Sequence, residues 1–423
     1  MLQLDFLRNN RDLAIKRLAI KNFDASTLID EVIDLDQSRK NAQKELDEIR
    51  TISNRLAKEI GILYKTGQRD KAEELKLETA QLKQQSKELE QKMAEAISQL
   101  NEKLIELPNI PHASVPPGKL ESDNELIFEE GELPTLIENA LPHWELASKY
   151  QIIDFELGNK VTGAGFPFYR GKGARLQRAL INFFLDEAIE SGYLEYQPPL
   201  LINEASAYGT GQLPDKEGQM YFVGDDKLYL IPTAEVPITN IYRNLILKEK
   251  DLPIKNVAYS NCFRREAGSY GKDVRGLNRL HQFDKVEIVQ IQHPDKSYET
   301  LELMKDYVAG LLRKLELPFR VLRLCGGDLS FTSALTYDFE VYSAAQKRWL
   351  EVSSVSNFEA FQTNRMKIRF KDENGKTQLA HTLNGSALAL PRIVAALLEN
   401  MQDEQGINIP KALQSYTGFN RID

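Results

Sequence analysis

The feature that most restricts this chain is a run of positions spaced alternately four and three residues apart near its start. Leu28, Val32, Leu35, Ala42, Leu46, Ile49, Leu56, Ile60 and Leu63 occupy it, and only Arg39 and Ser53 interrupt its apolar character. Such a heptad seam follows one side of a long helix and must be buried against another helix. Gly61 and Gly67 bracket the polar stretch YKTGQRD, after which Leu75, Leu82, Leu89, Met93, Ala96 and Leu100 resume the pattern. Two long helices joined by a short Gly-containing turn bury both seams by folding back, which predicts an antiparallel coiled-coil hairpin. At 1.5 Å per residue each arm is about 50 Å long, too long to pack fully on a small domain, so the hairpin is expected to project.

A hairpin of this kind serves either as a dimerisation or spacer coil or as an arm that contacts a polyanion. Its outer faces mix Lys and Arg with Asp and Glu, as a solvated coil does. Lys58, Lys65, Arg69 and Lys71 form a weak basic cluster near the tip. The residues alone leave both uses open.

The pattern ends at LPNIPHASVPPGK, where Pro108, Pro111, Pro116, Pro117 and Gly118 rule out a continuing helix. A domain boundary is expected at about residues 108–120, which gives an N-terminal domain over 1–110 and a second domain over 111–423. Ala174 to Ser191 reads as an amphipathic helix. Strands are expected at Lys227–Ile231, Lys285–Ile291, Arg320–Leu324, Tyr337–Tyr342 and Leu350–Val355. They follow one another through loops rather than through strict crossover helices. The expected class is α+β, a mostly antiparallel sheet flanked by helices. A final helix is expected to start near Pro391, where proline suits the first turn.

A length of 423 residues suits two or three domains. No apolar run approaches the roughly 20 residues of a membrane helix, and MLQLDFLRNN does not read as a signal peptide. The two cysteines, Cys262 and Cys325, supply neither a disulfide framework nor a four-thiolate zinc site. A reducing cytoplasm without membrane association is the expected setting. The net charge of −8 counts against polyanion binding by the chain as a whole, although local placement of charge decides that question.

No GxxxxGK phosphate loop, GxGxxG turn, HExxH helix or GxSxG elbow is present. The five histidines show no metal-ligand spacing. A nucleotide site would therefore rest on side chains over a sheet, and three segments could supply it.

In CFRREAGSYGKDVRGLNRLHQFDKVEIV, Arg264, Arg265 and Glu266 stand at a probable strand end. A Gly-rich basic loop follows, and Phe283 and Glu287 lie on the return strand. Arginine can fork onto a phosphate and a ring can stack on a base; a hairpin with surface ion pairs is the plainer reading. In NGSALALPRIVAALLEN, Arg392 sits in the first turn of a helix, where an anion is favoured, or it merely caps an amphipathic helix. In LEVSSVSNFEAFQTNR, Glu351 and Ser354 could offer oxygens to a hard cation, or could simply be surface groups.

Taken together these segments resemble the class II aminoacyl-tRNA synthetases, and among them the bacterial-type seryl-tRNA synthetases. The resemblance runs over essentially the whole chain. GARLQRALINFFLDEAIESGYLEYQPPLL resembles motif 1, the dimer-forming helix and strand with Pro199 at its interface. FRREAGSYGKDVRGLNRLHQFDKVE resembles motif 2 and GSALALPRIVAALLE motif 3, while IPTAEVPITN and LEVSSVSN resemble serine-family signatures. TNRMKIRF departs from the family's more usual ARRxxIRY.

The resemblance implies a serine–tRNA ligase. Such an enzyme activates L-serine with ATP and Mg²⁺ to seryl-adenylate and pyrophosphate, then charges tRNA(Ser), and tRNA(Sec) where the organism has one. Arg264 would contact the α-phosphate and the serine carboxylate, and Arg392 the ATP phosphates; both are the catalytic candidates. Arg265, Glu266 and Phe283 would complete the adenine side, with Glu266 near the amino group and Phe283 stacking. Glu351 and Ser354 would hold the divalent ion, with Val352 and Ser353 between them at the nucleotide. Thr233, Ala234 and Glu235 would receive serine's amino end, and Glu287 and Ser386, with Asn384 beside them, its hydroxyl. The hairpin would guide the long variable arm of the tRNA, one subunit of a homodimer serving the other. No zinc is expected, because Cys262 and Cys325 do not make a ligand set. The nearest rival, an enzyme that loads an amino acid onto a non-tRNA carrier, would be expected to lack the hairpin.

Overall fold

The computed structural model describes residues 1–266 and 275–423. The Gly-rich basic loop of the FRREAGSYGKDVRG stretch falls largely on 267–274, outside the described residues. The chain forms two compact units, Met1–Ala19 with Phe23–Pro108, and Ile20–Asn22 with Asn109–Asp423.

The first unit is helical: α1 (Leu4–Asn9), α2 (Arg11–Leu18), α3 (Ser26–Lys65) and α4 (Arg69–Leu104). With 40 and 36 residues, α3 and α4 span about 60 and 54 Å, somewhat more than the spacing implied. Helix α3 runs straight through Gly61, and the turn falls on Thr66–Gln68 with Gly67 at φ +78°. That left-handed φ is one glycine adopts without a Cβ clash. Every seam position from Leu28 to Leu63 is buried or half-buried, as are Leu75, Leu82, Leu89, Met93, Ala96 and Leu100 on α4. Arg39 interrupts the seam because its guanidinium bonds the buried Asp36 at 2.7 Å. Burial pushes the Asp36 carboxyl up, yet bonds from Arg39 and Lys40 outweigh it and hold it below the usual range. Lys58, Lys65, Arg69 and Lys71 are all exposed.

The second unit is built on eight strands: β1 (Glu125–Glu130), β2 (Leu194–Tyr196), β3 (Ile254–Phe263), β4 (Gln282–Gln292), β5 (Phe319–Arg323), β6 (Leu335–Ser343), β7 (Arg348–Glu359) and β8 (His381–Ala389). Their order is β1-β5-β6-β7-β8-β4-β3-β2. Every neighbouring pair is antiparallel except the edge strand β2, which runs parallel to β3. The helices that follow α4 are α5 (His143–Lys149), α6 (Phe155–Val161), α7 (Gly171–Glu190), α8 (Glu204–Thr210), α9 (Glu235–Asn240), α10 (Ser297–Lys314), α11 (Phe361–Met366), α12 (Leu390–Asn400) and α13 (Lys411–Thr417). The helix at Pro391 is therefore α12 and not the last. The short α13 follows it, too brief for periodicity to reveal, and packs on α7.

Three amphipathic helices cover one face of the sheet. Leu176, Leu180, Phe183 and Phe184 of α7, Leu301, Met304 and Val308 of α10, and Ile393, Val394 and Leu397 of α12 join one buried cluster with Val286, Ile288, Phe339, Val341, Val355 and Leu383 from the strands. Strand alternation sends the intervening residues to the opposite face. On β4 this turns Lys285 and Glu287 away from the helices, and on β6 it turns Asp338 and Glu340 away.

Strands β6 and β7 slip by one residue where Phe339 pairs Ser353 but Glu340 pairs Glu351. Val352 is the extra residue of this bulge. Without it, Glu351 and Ser354 would point to opposite faces. With it they share the face of Asp338 and Glu340.

Candidate active site

On the open face of β4 and β8, Glu287 pairs across the strands with Ser386, and Val289 with Asn384. Glu287 is 1% exposed. Lys285 Nζ lies 2.5 Å from its Oε2, and Asn384 Nδ2 donates to its Oε1 at 3.0 Å. The same nitrogen donates to Glu235 Oε2 at 2.7 Å, and Gln362 Nε2 of α11 donates to Glu235 Oε1 at 2.7 Å. Glu235 opens α9, with Ala234 at its N-cap, and its backbone N–H donates to Thr233 Oγ1 at 3.1 Å. Burial, and next the Glu287 carboxylate, push the Glu235 carboxyl up to about 7. Two buried carboxylates thus face one lysine, a site short of one positive charge. Ser386 is buried beside them, and its carbonyl accepts from Ser353 Oγ at 2.6 Å.

The second group of residues gathers around the return segment that leads into β4. The Arg264 N–H donates to the His281 carbonyl at 3.0 Å, and the guanidinium lies 5.3 Å from the centroid of the Phe283 ring. The next N–H, of Arg265, donates to Gln219 O at 2.9 Å, and the Arg265 side chain stands over Tyr221. Glu266 follows at φ +48°, uncommon for a residue with a side chain, and Arg279 bonds its carboxylate at 2.9 Å. Arg392, in the first turn of α12, donates from Nε to Asn278 O at 3.0 Å and from Nη1 to Glu351 O at 2.7 Å. Arg264 and Arg392, 128 positions apart in sequence, are both fastened to the stretch Asn278–His281.

Ser354 Oγ donates to Asp338 Oδ1 at 2.6 Å. Burial and then the charge of Glu351 raise the Asp338 carboxyl well above the usual range. Among the described residues no three His, Cys, Asp or Glu side chains converge into a closed metal site. One carboxylate and one hydroxyl on a shared face suit instead an ion that takes most of its oxygens from elsewhere, as Mg²⁺ on phosphates does.

Residues 1–111 match the family described as the seryl-tRNA synthetase N-terminal domain, and residues 221–401 match the class II tRNA synthetase core domain (G, H, P, S and T). The chain is 52% identical to a serine–tRNA ligase of Salinibacter ruber, a match covering all of this chain and 99% of that protein. The chain belongs to the seryl-tRNA synthetase family. A serine–tRNA ligase of Akkermansia muciniphila is 46% identical over the same coverage. Among solved structures, seryl-tRNA synthetase from Pyrococcus horikoshii complexed with ATP superposes with a TM-score of 0.94 at 35% identity, covering all of this chain and 99% of that one. The cytoplasmic serine–tRNA ligase of Naegleria fowleri in complex with AMP reaches 0.89 at 26% identity.

Beside the expected site residues stand others that the motif reading passed over. Lys285 stands two positions before Glu287 on one strand, so alternation alone puts both on one face. Asp338 and Glu340 are exposed to the same argument on β6. Gln362 gives no local sign, because it reaches Glu235 from 127 positions away.

Proposed function

We infer that the chain is a serine–tRNA ligase, and that the residues just described form its serine and ATP sites. The observation that carries this reading is the buried pair Glu235 and Glu287 with Lys285 as its nearest cation. A small zwitterion whose ammonium meets Glu235 supplies the missing charge, and its hydroxyl meets Glu287 beside Ser386. Serine fits both ends, and Thr233 and Ala234 set the edge where its amino group enters.

ATP lies over β3, β4 and β7 in this reading. Phe283 stacks on the adenine, Glu266 faces its amino group and the Arg265 side of the strand end closes over it. Arg264 reaches the α-phosphate and the serine carboxylate, while Arg392 meets the outer phosphates. The Arg392 guanidinium is hydrogen-bonded before substrate arrives and the Arg264 backbone is fixed at the strand end, so little reorganisation is needed as charge shifts from carboxylate to pyrophosphate. Serine's carboxylate oxygen attacks the α-phosphorus, the bond to the β-phosphate oxygen breaks, and pyrophosphate leaves with seryl-adenylate in place. The 3′-terminal hydroxyl of the tRNA then attacks the activated carbonyl and displaces AMP. Glu351 and Ser354 would hold Mg²⁺ with phosphate oxygens, and Val352 and Ser353 set their spacing. The ion would neutralise phosphate charge there.

The α3–α4 hairpin serves the acceptor, tRNA(Ser) and also tRNA(Sec) where it exists. Lys58, Lys65, Arg69 and Lys71 are available to backbone phosphates. Shape and backbone contacts suit A-form RNA, whose deep groove side chains read poorly. Homodimerisation through the motif 1 region is supported by β2, a short strand at the open sheet edge, and by the exposed Leu194, Leu200 and Leu201 around it. No described helix is long and apolar enough to cross a membrane, and the cytoplasm is the proposed location.

Pyrophosphate exchange tested with each of the twenty amino acids, followed by charging of purified tRNA(Ser), examines the whole reading. Exchange dependent on serine, with charging of tRNA(Ser), is expected. Exchange that ignores serine or prefers another amino acid refutes it.

A further inference from the structure

Helix α12 carries Arg392 near its start and Glu399 near its end, and both reach the same short stretch of chain. Glu399 is fully buried, as is His143 at the start of α5. His143 Nδ1 lies 2.7 Å from Glu399 Oε1. Its other ring nitrogen, Nε2, stands 2.9 Å from the backbone N–H of Leu277. A backbone N–H can only donate, so Nε2 accepts and the ring hydrogen sits on Nδ1, where it donates to the carboxylate. The imidazole is therefore neutral and of one tautomer, fixed from both sides.

A second route runs alongside the first. Gln346 Nε2 donates to Glu399 Oε1 at 3.0 Å, and its Oε1 accepts from Asn278 Nδ2 at 3.0 Å. Ser343 Oγ donates to the remaining carboxylate oxygen. Just before Leu277, Gly276 adopts φ +68°, and a Cβ there would come within 2.2 Å of His143 Nε2. The Arg275 guanidinium rests 4.6 Å from the centroid of the Trp144 ring, next to His143. Residues 275–278 are thus gripped one after another, and the last of them offers the carbonyl that receives Arg392 Nε at 3.0 Å.

We propose that His143 is a positioning residue for ATP: by accepting the Leu277 N–H it fixes the Asn278 carbonyl, and through it the direction of the Arg392 guanidinium. The proposal rests on the reading of Arg392 as a ligand of the ATP phosphates. His143 itself touches no reacting atom. Its contribution is that Arg392 does not have to be ordered when the nucleotide arrives.

Two near-isosteric variants of the full-length enzyme separate this from a general packing role. In His143→Gln the side-chain oxygen reaches the place of Nε2 and still accepts from Leu277. In His143→Asn the shorter amide stays with Glu399 and abandons Leu277. Steady-state pyrophosphate exchange should show the ATP KM raised about tenfold or more in His143→Asn. The serine KM should stay within about twofold, and His143→Gln should remain near the parent enzyme. Gly276→Ala, which drives a methyl group against Nε2, should reproduce the ATP-selective loss and serves if His143→Asn does not fold. Arg392→Ala is measured in parallel, because an unchanged ATP KM there overturns the reading of Arg392 itself. If Arg392→Ala raises the ATP KM while His143→Asn and Gly276→Ala do not, the role of His143 is wrong. The double variant His143→Asn/Arg392→Ala should be no worse for ATP than Arg392→Ala alone; losses that simply add would likewise overturn the proposal.

Discussion

Glu235 and Glu287, from a helix start and a strand 52 positions apart, share one donor, the Nδ2 of Asn384 at 2.7 and 3.0 Å. That amide keeps two buried carboxylates at a fixed separation while like charge pushes them apart. Replacing it by Asn384→Ala leaves both without the shared hydrogen bond. The expected cost is about 2 kcal/mol of serine binding, or a serine KM up by ~30-fold. ATP KM should hardly move, since no described contact of Asn384 reaches Arg264, Arg392 or Glu351. Equal losses for both substrates would mean that Asn384 supports the fold rather than the serine site.

Serine binding should depend on pH through Glu235, whose carboxyl burial raises to about 7. Binding of an ammonium group demands the ionised form, so the serine dissociation constant should fall as pH rises from about 6 to 7.5. The stability trend has the opposite sign. A raised carboxyl pKa favours the folded state at low pH, and that contribution fades as pH climbs from the ordinary 4.5 through about 7. Glu235→Gln should abolish the fall in stability across this window while destroying serine activation. Calorimetric titration and thermal unfolding at several pH values read both trends; a serine affinity flat across the window removes Glu235 from the ammonium site.

Glu287→Ala should lower serine activation severely and spare ATP binding. A site built to bond a hydroxyl rejects the analogue that lacks it, here alanine, by a factor on the order of 10⁴. The variant also strands Lys285, 7% exposed in its side chain, and leaving one charge of a buried pair alone costs about 3–5 kcal/mol. Adding Lys285→Met should restore much of the melting temperature and none of the serine activation. Undiminished serine-dependent exchange in Glu287→Ala would refute the assignment.

Removal of residues 28–106, with a short linker in their place, should leave adenylate formation intact and abolish charging of tRNA(Ser). The cut stays within one compact unit and keeps Ile20–Asn22, which belongs with the catalytic unit. There Lys21 Nζ donates to the carbonyls of Ser330 and Ser333 at 2.7 and 2.8 Å. Pyrophosphate exchange and tRNA charging measured on the same preparation decide it, since equal charging by the shortened protein contradicts the proposed arm.

The parts of this architecture that repeat were legible from the residues, and the parts that depend on distant pairing were not. The α3–α4 seam could be read because a helix returns one face every seven residues, so Leu28 to Leu63 declares itself locally. The five strand positions came from short β-rich runs and the end of β3 from Arg264, yet β1 and β8 escaped; IKNVAYSNCF and HTLNGSALA mix polar and small residues at buried positions. Among their polar members, Asn384 donates to Glu235 and Glu287, and Asn256 donates to the Tyr242 hydroxyl. Residue chemistry singled out Arg264, Glu266, Phe283 and Arg392 but left a surface hairpin and a capped helix open, and motif resemblance supplied the expected roles. His143 lacked even that help. Nothing about PHWELA marks a histidine whose partners lie 134 and 256 positions away.

The extra residue at Val352 has a consequence for how this strand can vary. Side-chain identity along β7 could drift widely, but its residue count could not. Losing either residue between Glu351 and Ser354 would rotate Glu351 toward the helices while Ser354 kept its direction, parting the two oxygens that now look the same way. Insertions and deletions in homologous chains should therefore stop short of this stretch and gather in the turn before Arg348, where length carries no such meaning.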